Sequence, residues 1–355
     1  MKPAGLRRIA APTLDGLSMD FNPRDLIANW VPSGPLEPGD PDSQLQSIYV
    51  PTKGRTQHVQ DLLDSLRGSH APVFLLPSCR EDTPSGRTPP DPPVHHLCMQ
   101  DDAECLSVLR SLRCTSNPVF ATPETAWDLP MKRNYALWHA RKNRFNQILL
   151  LDDDIRGLHD VALRAGARAL RQWVLTGFFI DEFPDTSVIG HVELAVGERV
   201  VPFLSGSCLF VRSGAPIGFF PPIYNEDWIF MAPEIASGGV CSVGIITQEP
   251  YDPFSDLSLA AFQEPGEIIA DGLFALLAAG YYADRFHQSS WNTVLSQRRD
   301  WLTSLAARAQ DSQHRIAVEA ARAVCQRITA LDCASYVHDL EHDRRKWNQR
   351  LQELA

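Results

Sequence analysis

The chain has 355 residues, 44% hydrophobic and 21% charged, ordinary values for a globular protein long enough to bury a sizeable core. Its formal charge of −10 argues against a general nucleic-acid binder, which would carry a basic face. No apolar run reaches the roughly 18–20 residues that cross a bilayer. Eight cysteines without a CxxC pair or zinc-ligand spacing, and no signal peptide after Met1, read as reduced thiols in a cytoplasmic protein.

Residues 1–45 are rich in Pro, Gly and Asp and read as an irregular leader, with a short helix around Asp25 to Trp30. The first clear strand is Ser47-Ile48-Tyr49-Val50, ending in Pro51-Thr52-Lys53-Gly54-Arg55. Val59, Leu62, Leu63 and Leu66 stand at helical spacing within Gln57 to Arg67, and Val73-Phe74-Leu75-Leu76 is a second buried strand. This β-α-β unit predicts two adjacent parallel strands. Arg80 to Pro93 reads as a loop, Ala103 to Leu112 as a short helix and Pro130 to Arg144 as a stronger one.

Gln147-Ile148-Leu149-Leu150-Leu151 is the most apolar short run, the signature of a strand buried on both faces of a parallel sheet. It runs into Asp152-Asp153-Asp154. Three carboxylates in a row repel one another and are costly to desolvate, so a capping role explains one of them and not three. At the C-terminal edge of a parallel strand they suit a divalent cation and a phosphorylated ligand. Beyond them, Val161 to Phe179 reads as a helix, Val188 to His191 and Phe203 to Val211 as strands, Gln248 to Pro265 as a loop and Ile268 to Tyr282 as a buried helix. From Trp291 the chain is charged and helical to its end, an appendage packed on the main domain or offering a surface to a second copy.

Four landmarks then fall in order: Val50-Pro51-Thr52-Lys53-Gly54-Arg55, Lys132-Arg133-Asn134, Asp152-Asp153-Asp154, and Asn225-Glu226-Asp227-Trp228 preceded by Ser205-Gly206-Ser207. In this order the chain resembles the GT-A glycosyltransferases, especially the broad glycosyltransferase family 2 type, over about Ile48 to Tyr282. The resemblance implies an α/β fold of GT-A (Rossmann-like) type: a mostly parallel central sheet flanked by helices, with a C-terminal helical appendage. The expected division is a leader over 1–45, a nucleotide-sugar transferase domain over 46–290 and a helical extension over 291–355.

The implied activity is metal-dependent transfer of a single sugar from a nucleoside diphosphate sugar to a soluble small-molecule or glycan acceptor. Mn²⁺ or Mg²⁺ would bridge the donor's phosphates and stabilise the leaving charge. Asp154 and Asp152 are the expected metal ligands, with His287 as a late third. Pro51, Thr52, Lys53, Arg55, Arg133, Asn134, Asp152 and Asp153 are expected at the donor nucleotide. Asp227 is the expected general base of an inverting displacement, with Glu226 as its partner or substitute. Ser205, Gly206, Tyr224 and Trp228 are expected at the acceptor. A retaining GT-A transferase and a phosphohydrolase using Asp152 and Asp154 are the alternatives, although Ile155-Arg156 stand where the latter needs small residues. Gln297-Arg298-Arg299-Asp300-Trp301 is similar to an element of processive synthases, but Asp300 fills its Arg position.

Overall fold

The computed structural model describes residues 31, 44–78, 92–120, 127–181, 183, 186–198, 203–279 and 287–354. The expected leader helix and most of the loop at 80–93 lie outside them. The strands are β1 (Ser47–Thr52), β2 (Val73–Pro77), β3 (Val94–His96), β4 (Gln147–Leu151), β5 (Ile155–Arg156), β6 (Leu175–Asp181), β7 (Leu204–Arg212) and β8 (Val240–Gln248). They form one eight-stranded sheet in the order β3-β2-β1-β4-β7-β6-β8-β5.

The predicted β-α-β unit is present: α1 (Thr56–Ser65) connects β1 to β2, which pair in parallel with Ile48 opposite Val73. β4 joins the other edge of β1, also in parallel, with Ile48 opposite Leu149. β7 runs antiparallel between β4 and β6, while β6 and β8 are parallel to one another. The C-terminal ends of β1, β4 and β8 and the N-terminal end of β7 therefore meet at one edge of the sheet.

Along each central strand the side chains alternate between two cores. Ile48, Val50, Val73, Leu75, Leu149 and Leu151 face one cluster with Val59, Leu62 and Leu63 of α1 and Leu163 of α4 (Asp160–Ala169). Tyr49, Phe74, Leu76, Ile148 and Leu150 face the other, larger one. That period of two on a sheet covered on both faces is why these strands read as unbroken apolar runs.

The larger cluster takes in α2 (Ala103–Arg110), α3 (Asp128–Lys142), α5 (Val188–Ala195), α6 (Glu226–Ser237) and α7 (Ser258–Ala278). It also takes in the C-terminal helices α8 (Gln288–Arg308), α9 (Ser312–Cys325) and α10 (Ala330–Glu353). Trp138 of α3 meets Trp347 of α10 with ring centroids 6.0 Å apart. No helix among the described residues is long and apolar enough to cross a membrane.

Three expectations are corrected, and one strand is added. Residues 175–179, read as the end of a helix, form β6; α4 stops at Ala169 and Gly177 lies so close to Leu204 and Cys208 of β7 that a Cβ would collide with them. Val188 to His191 is helical because Ser187 caps α5, its hydroxyl accepting from the Gly190 amide at 3.0 Å. β8, a Val/Ile/Thr-rich segment after Gly238-Gly239, had gone unread as a strand. α7 begins at Ser258 and runs through Pro265, which is held inside the helix. Propensity favoured a break there, and tertiary packing overrode it.

Candidate active site

A cleft of about 450 Å³ opens at the sheet edge where β1, β4, β7 and β8 meet. Arg55, Arg133, Asp152, Asp154, Tyr224, Glu226, Asp227 and Trp228 all line it, although they come from segments far apart in the chain, in the expected order.

The aspartates turn away from the end of β4, where the Asp152 amide donates to Ser207 O of β7 at 2.7 Å and Asp154 O accepts from the Glu249 amide at 2.9 Å. Asp153 points back into the protein, 1% exposed, held by Thr52 Oγ1 at 3.0 Å and Arg55 Nε at 3.3 Å. Arg55 also pairs with Asp154 Oδ2 at 3.1 Å. Asp152 Oδ2 accepts from Arg133 Nη2 at 2.8 Å. Asp152 and Asp154 each keep their other oxygen, Oδ1, buried and without a hydrogen-bond partner. Burial, offset by Arg133 and reinforced by Asp154, pushes the Asp152 carboxyl up to about 6.

Arg133, 3% exposed, links the two sides of the cleft. Its Nη1 donates to Glu226 Oε1 at 2.8 Å while Nη2 holds Asp152. Its guanidinium lies over the Phe220 ring, 5.7 Å from the centroid. Burial pushes the Glu226 carboxyl up to about 8, against the pull of Arg133 and with Asp227 and Asp152 as like-charged neighbours.

Glu226 and Asp227 form the first turn of α6, where carboxylates complement the helix dipole. Asn225, ahead of them, adopts the left-handed conformation (φ 61°) that asparagine tolerates. Asp227 Oδ2 accepts from the Gly206 amide at 2.6 Å and Oδ1 from its own neighbour's amide, Trp228, at 2.8 Å. A Cβ on Gly206 would stand 2.6 Å from Asp227 Cβ and 2.8 Å from Arg133 Nη1. Only glycine lets β7 approach this closely.

Other expected site residues sit elsewhere. Ser205 is buried with its hydroxyl on Ser207, and Gly206 holds Asp227 through its amide; neither lines the cleft. Asn134 spends its amide on Phe220, donating to its carbonyl and accepting from its N–H, both at 2.8 Å. It pins the segment beneath Arg133. Pro51 lies within β1 opposite Leu76, and Lys53 is exposed beyond the strand. His287 is exposed ahead of α8 and does not line the cleft. Trp228 touches the cleft but is mostly a core residue, edge-on to Phe203 and Phe274.

Gln248, Glu249, Pro250 and Tyr251 also line the cleft; they open the segment read as a loop from Gln248 to Pro265, and none of them was singled out there as a site residue. Lys132, part of the second landmark but given no role there, is buried and donates to Thr52 O, Ser78 Oγ and Asp128 Oδ2, tying β1 and β2 to α3.

The described residues bring together no set of three or more His, Cys, Asp or Glu side chains as a metal cage. The orphaned Asp152 and Asp154 oxygens nevertheless fit a hard divalent cation. Mg²⁺-type ions take one or two carboxylates and complete their shell with phosphate oxygens and water.

No family model matches the chain, and no curated protein does. Among solved structures it is similar to glucosyl-3-phosphoglycerate synthase from Mycobacterium tuberculosis. The complex of that enzyme with Mn²⁺, UDP-glucose and phosphoglyceric acid is 13% identical over 71% of this chain and 89% of that chain, with a TM-score of 0.44. The complex with Mn²⁺, UDP and glucosyl-3-phosphoglycerate is 13% identical over 66% and 80%, with a TM-score of 0.41. A protein from Desulfovibrio desulfuricans G20 assigned to the nucleotide-diphospho-sugar transferases is 11% identical over 74% and 98%, with a TM-score of 0.34.

Proposed function

We propose that this protein is a metal-dependent glycosyltransferase that moves a single sugar from a nucleoside diphosphate sugar to an acceptor hydroxyl. One observation carries the reading. Two aspartates with unpartnered buried oxygens and a carboxylate clamped by a strand amide line the same cleft, and one buried arginine links Asp152 to Glu226, the clamped carboxylate's neighbour in the chain. That is a leaving-group side and a proton-accepting side in one enclosure.

A Mn²⁺ or Mg²⁺ held by Asp152 and Asp154 supplies Lewis-acid stabilisation of the departing diphosphate. Arg55 brings a guanidinium to the same edge, and Thr52 holds Asp153 so that this cluster keeps its shape. Asp227 is the general base. With both its oxygens oriented by backbone amides it retains lone pairs for the acceptor's proton. Glu226, its carboxyl raised by burial, accepts from Arg133 Nη1 at 2.8 Å beside Asp227. A base on the face opposite the leaving group gives inversion by single displacement, the outcome we favour over retention. The phosphohydrolase alternative leaves Asp227, clamped by the Gly206 amide in the same cleft, without a role.

Thermal-shift measurements with UDP, GDP and ADP, each with and without Mn²⁺, test the donor side. One nucleotide should stabilise the protein only with metal, and Asp154→Ala should abolish the effect. Indifference to every nucleotide under either condition would sink the proposal. Asp227→Asn should keep nucleotide binding and lower the transfer rate by about 10²–10⁴-fold. NMR of the product should show the anomeric configuration opposite to the donor's.

A further inference from the structure

We infer, resting on the transferase reading above, that the acceptor is an uncharged or amino-bearing sugar ring and not a phosphorylated or carboxylated one. The charges around the cleft carry this. Its acceptor side presents Asp227 and Glu249, with Glu226 held by Arg133 beside them. The two guanidiniums among the described lining residues are already committed. Arg55 pairs with Asp153 and Asp154 on the donor side, beside His58. Arg133 is buried with one arm on Asp152 and the other on Glu226. Arg156 engages Glu249 at 2.7 Å and does not line the cleft. An anionic acceptor entering beside a diphosphate would meet these carboxylates, with both lining guanidiniums already paired.

The uncharged groups point the same way. Gln248 is 8% exposed, lines the cleft, and keeps its Oε1 buried without a hydrogen-bond partner. A buried acceptor atom left unpaired is costly, and a ligand hydroxyl or ammonium is what satisfies it. Next to it, Tyr251 is 42% exposed and its ring is held in place. The hydroxyl donates to Thr186 O at 3.0 Å, and the ring stands edge-on to Phe183 at 4.9 Å between centroids. A fixed, half-exposed aromatic face beside an orphaned amide oxygen suits the apolar C–H face and equatorial hydroxyls of a pyranose. Its phosphate ester gains nothing there.

Saturation-transfer NMR on the protein loaded with Mg²⁺ and its stabilising nucleoside diphosphate tests this. The probes are methyl glucoside, methyl galactoside, methyl mannoside and glucosamine against glucose 6-phosphate, glucuronic acid and 3-phosphoglycerate. The expected result is transfer to one or more neutral or amino sugars, at least fivefold stronger than to any anionic probe. Tyr251→Ala and Gln248→Leu should each reduce it about fivefold while leaving the nucleotide's thermal shift unchanged. Preferential signal from an anionic probe overturns the inference, as does the absence of any Tyr251-dependent signal from the neutral and amino sugars. Either outcome, with metal-dependent nucleotide binding intact, leaves the transferase reading standing. Loss of nucleotide binding itself strikes that reading instead.

Discussion

Gly206 shows how a single residue without a side chain organises this cleft. Its amide anchors Asp227, and the missing Cβ leaves room for both Asp227 and Arg133. Gly206→Ala is therefore expected to destabilise the fold by about 1–3 kcal/mol, the usual cost of overpacking. It should also depress transfer far more than nucleotide binding, measured by denaturant titration alongside kinetics. Glu226 offers a second test at this scale. Burial raises its carboxyl to about 8 and that of Asp152 to about 6, so the native protein keeps protons that the unfolded chain releases near pH 4. The stability associated with these protonated carboxyls is full below pH 4 and is lost as pH rises through about 6 and then about 8. Metal-free protein should thus lose unfolding free energy between pH 5 and 8.5, and Glu226→Gln should flatten the upper part of that decline. An equally steep decline in the variant would show that Glu226 does not titrate there.

Among the elements, α7 packs directly against the segment that leads into Glu226 and Asp227. Gly266, just after Pro265, sits against the Tyr224 backbone, and a Cβ there would collide with the Tyr224 carbonyl. One turn and a half later, Gly272 receives the Trp291 ring of α8 in the same manner. Small residues at these two positions let α7 lie between the Asn225 turn and the C-terminal helices. Trp291, fully buried, is expected to cost about 3–5 kcal/mol on replacement by alanine, a loss readable by urea denaturation. Arg298 explains the unusual Gln297-Arg298-Arg299-Asp300-Trp301 stretch. Its guanidinium is buried against Glu264 and Asp271 of α7 at 2.7 and 2.8 Å and lies 4.6 Å from the centre of the Trp301 ring. In this protein the stretch fastens α8 to α7, away from the cleft.

At the scale of the molecule, the C-terminal helices share one continuous core with the sheet. Trp347 packs on Trp138, Asn348 Oδ1 accepts from the Ile217 amide at 2.8 Å, and Asp343 accepts from the Cys114 amide at 2.9 Å. Every cleft residue falls within 46–290, the span assigned to the transferase domain, yet that span buries its larger face only with α8 to α10 in place. Far-UV circular dichroism and tryptophan fluorescence should therefore report one coincident unfolding transition. Two separated midpoints would mean that the extension folds as an independent unit. Trp347→Ala should lower that single midpoint, by about 3–5 kcal/mol in free energy, and not detach the extension alone.

What the sequence determined by itself was local and periodic. The apolar runs at 47–50, 73–76 and 147–151 specified buried parallel strands, and three adjacent carboxylates at a strand end marked a ligand edge, because burial on both faces and carboxylate repulsion act between near neighbours. The tertiary structure decided which groups meet. β7 enters antiparallel between β4 and β6, and this brings Gly206 to Asp227 and Ser207 to Asp152. The same topology turned Ser205 and Asn134 from expected ligand contacts into supports. It also brought Gln248, at the end of β8, and Tyr251, in the loop that follows, into the cleft. Strand order and the close approach of backbones are long-range packing outcomes, and no residue spacing within a segment encodes them.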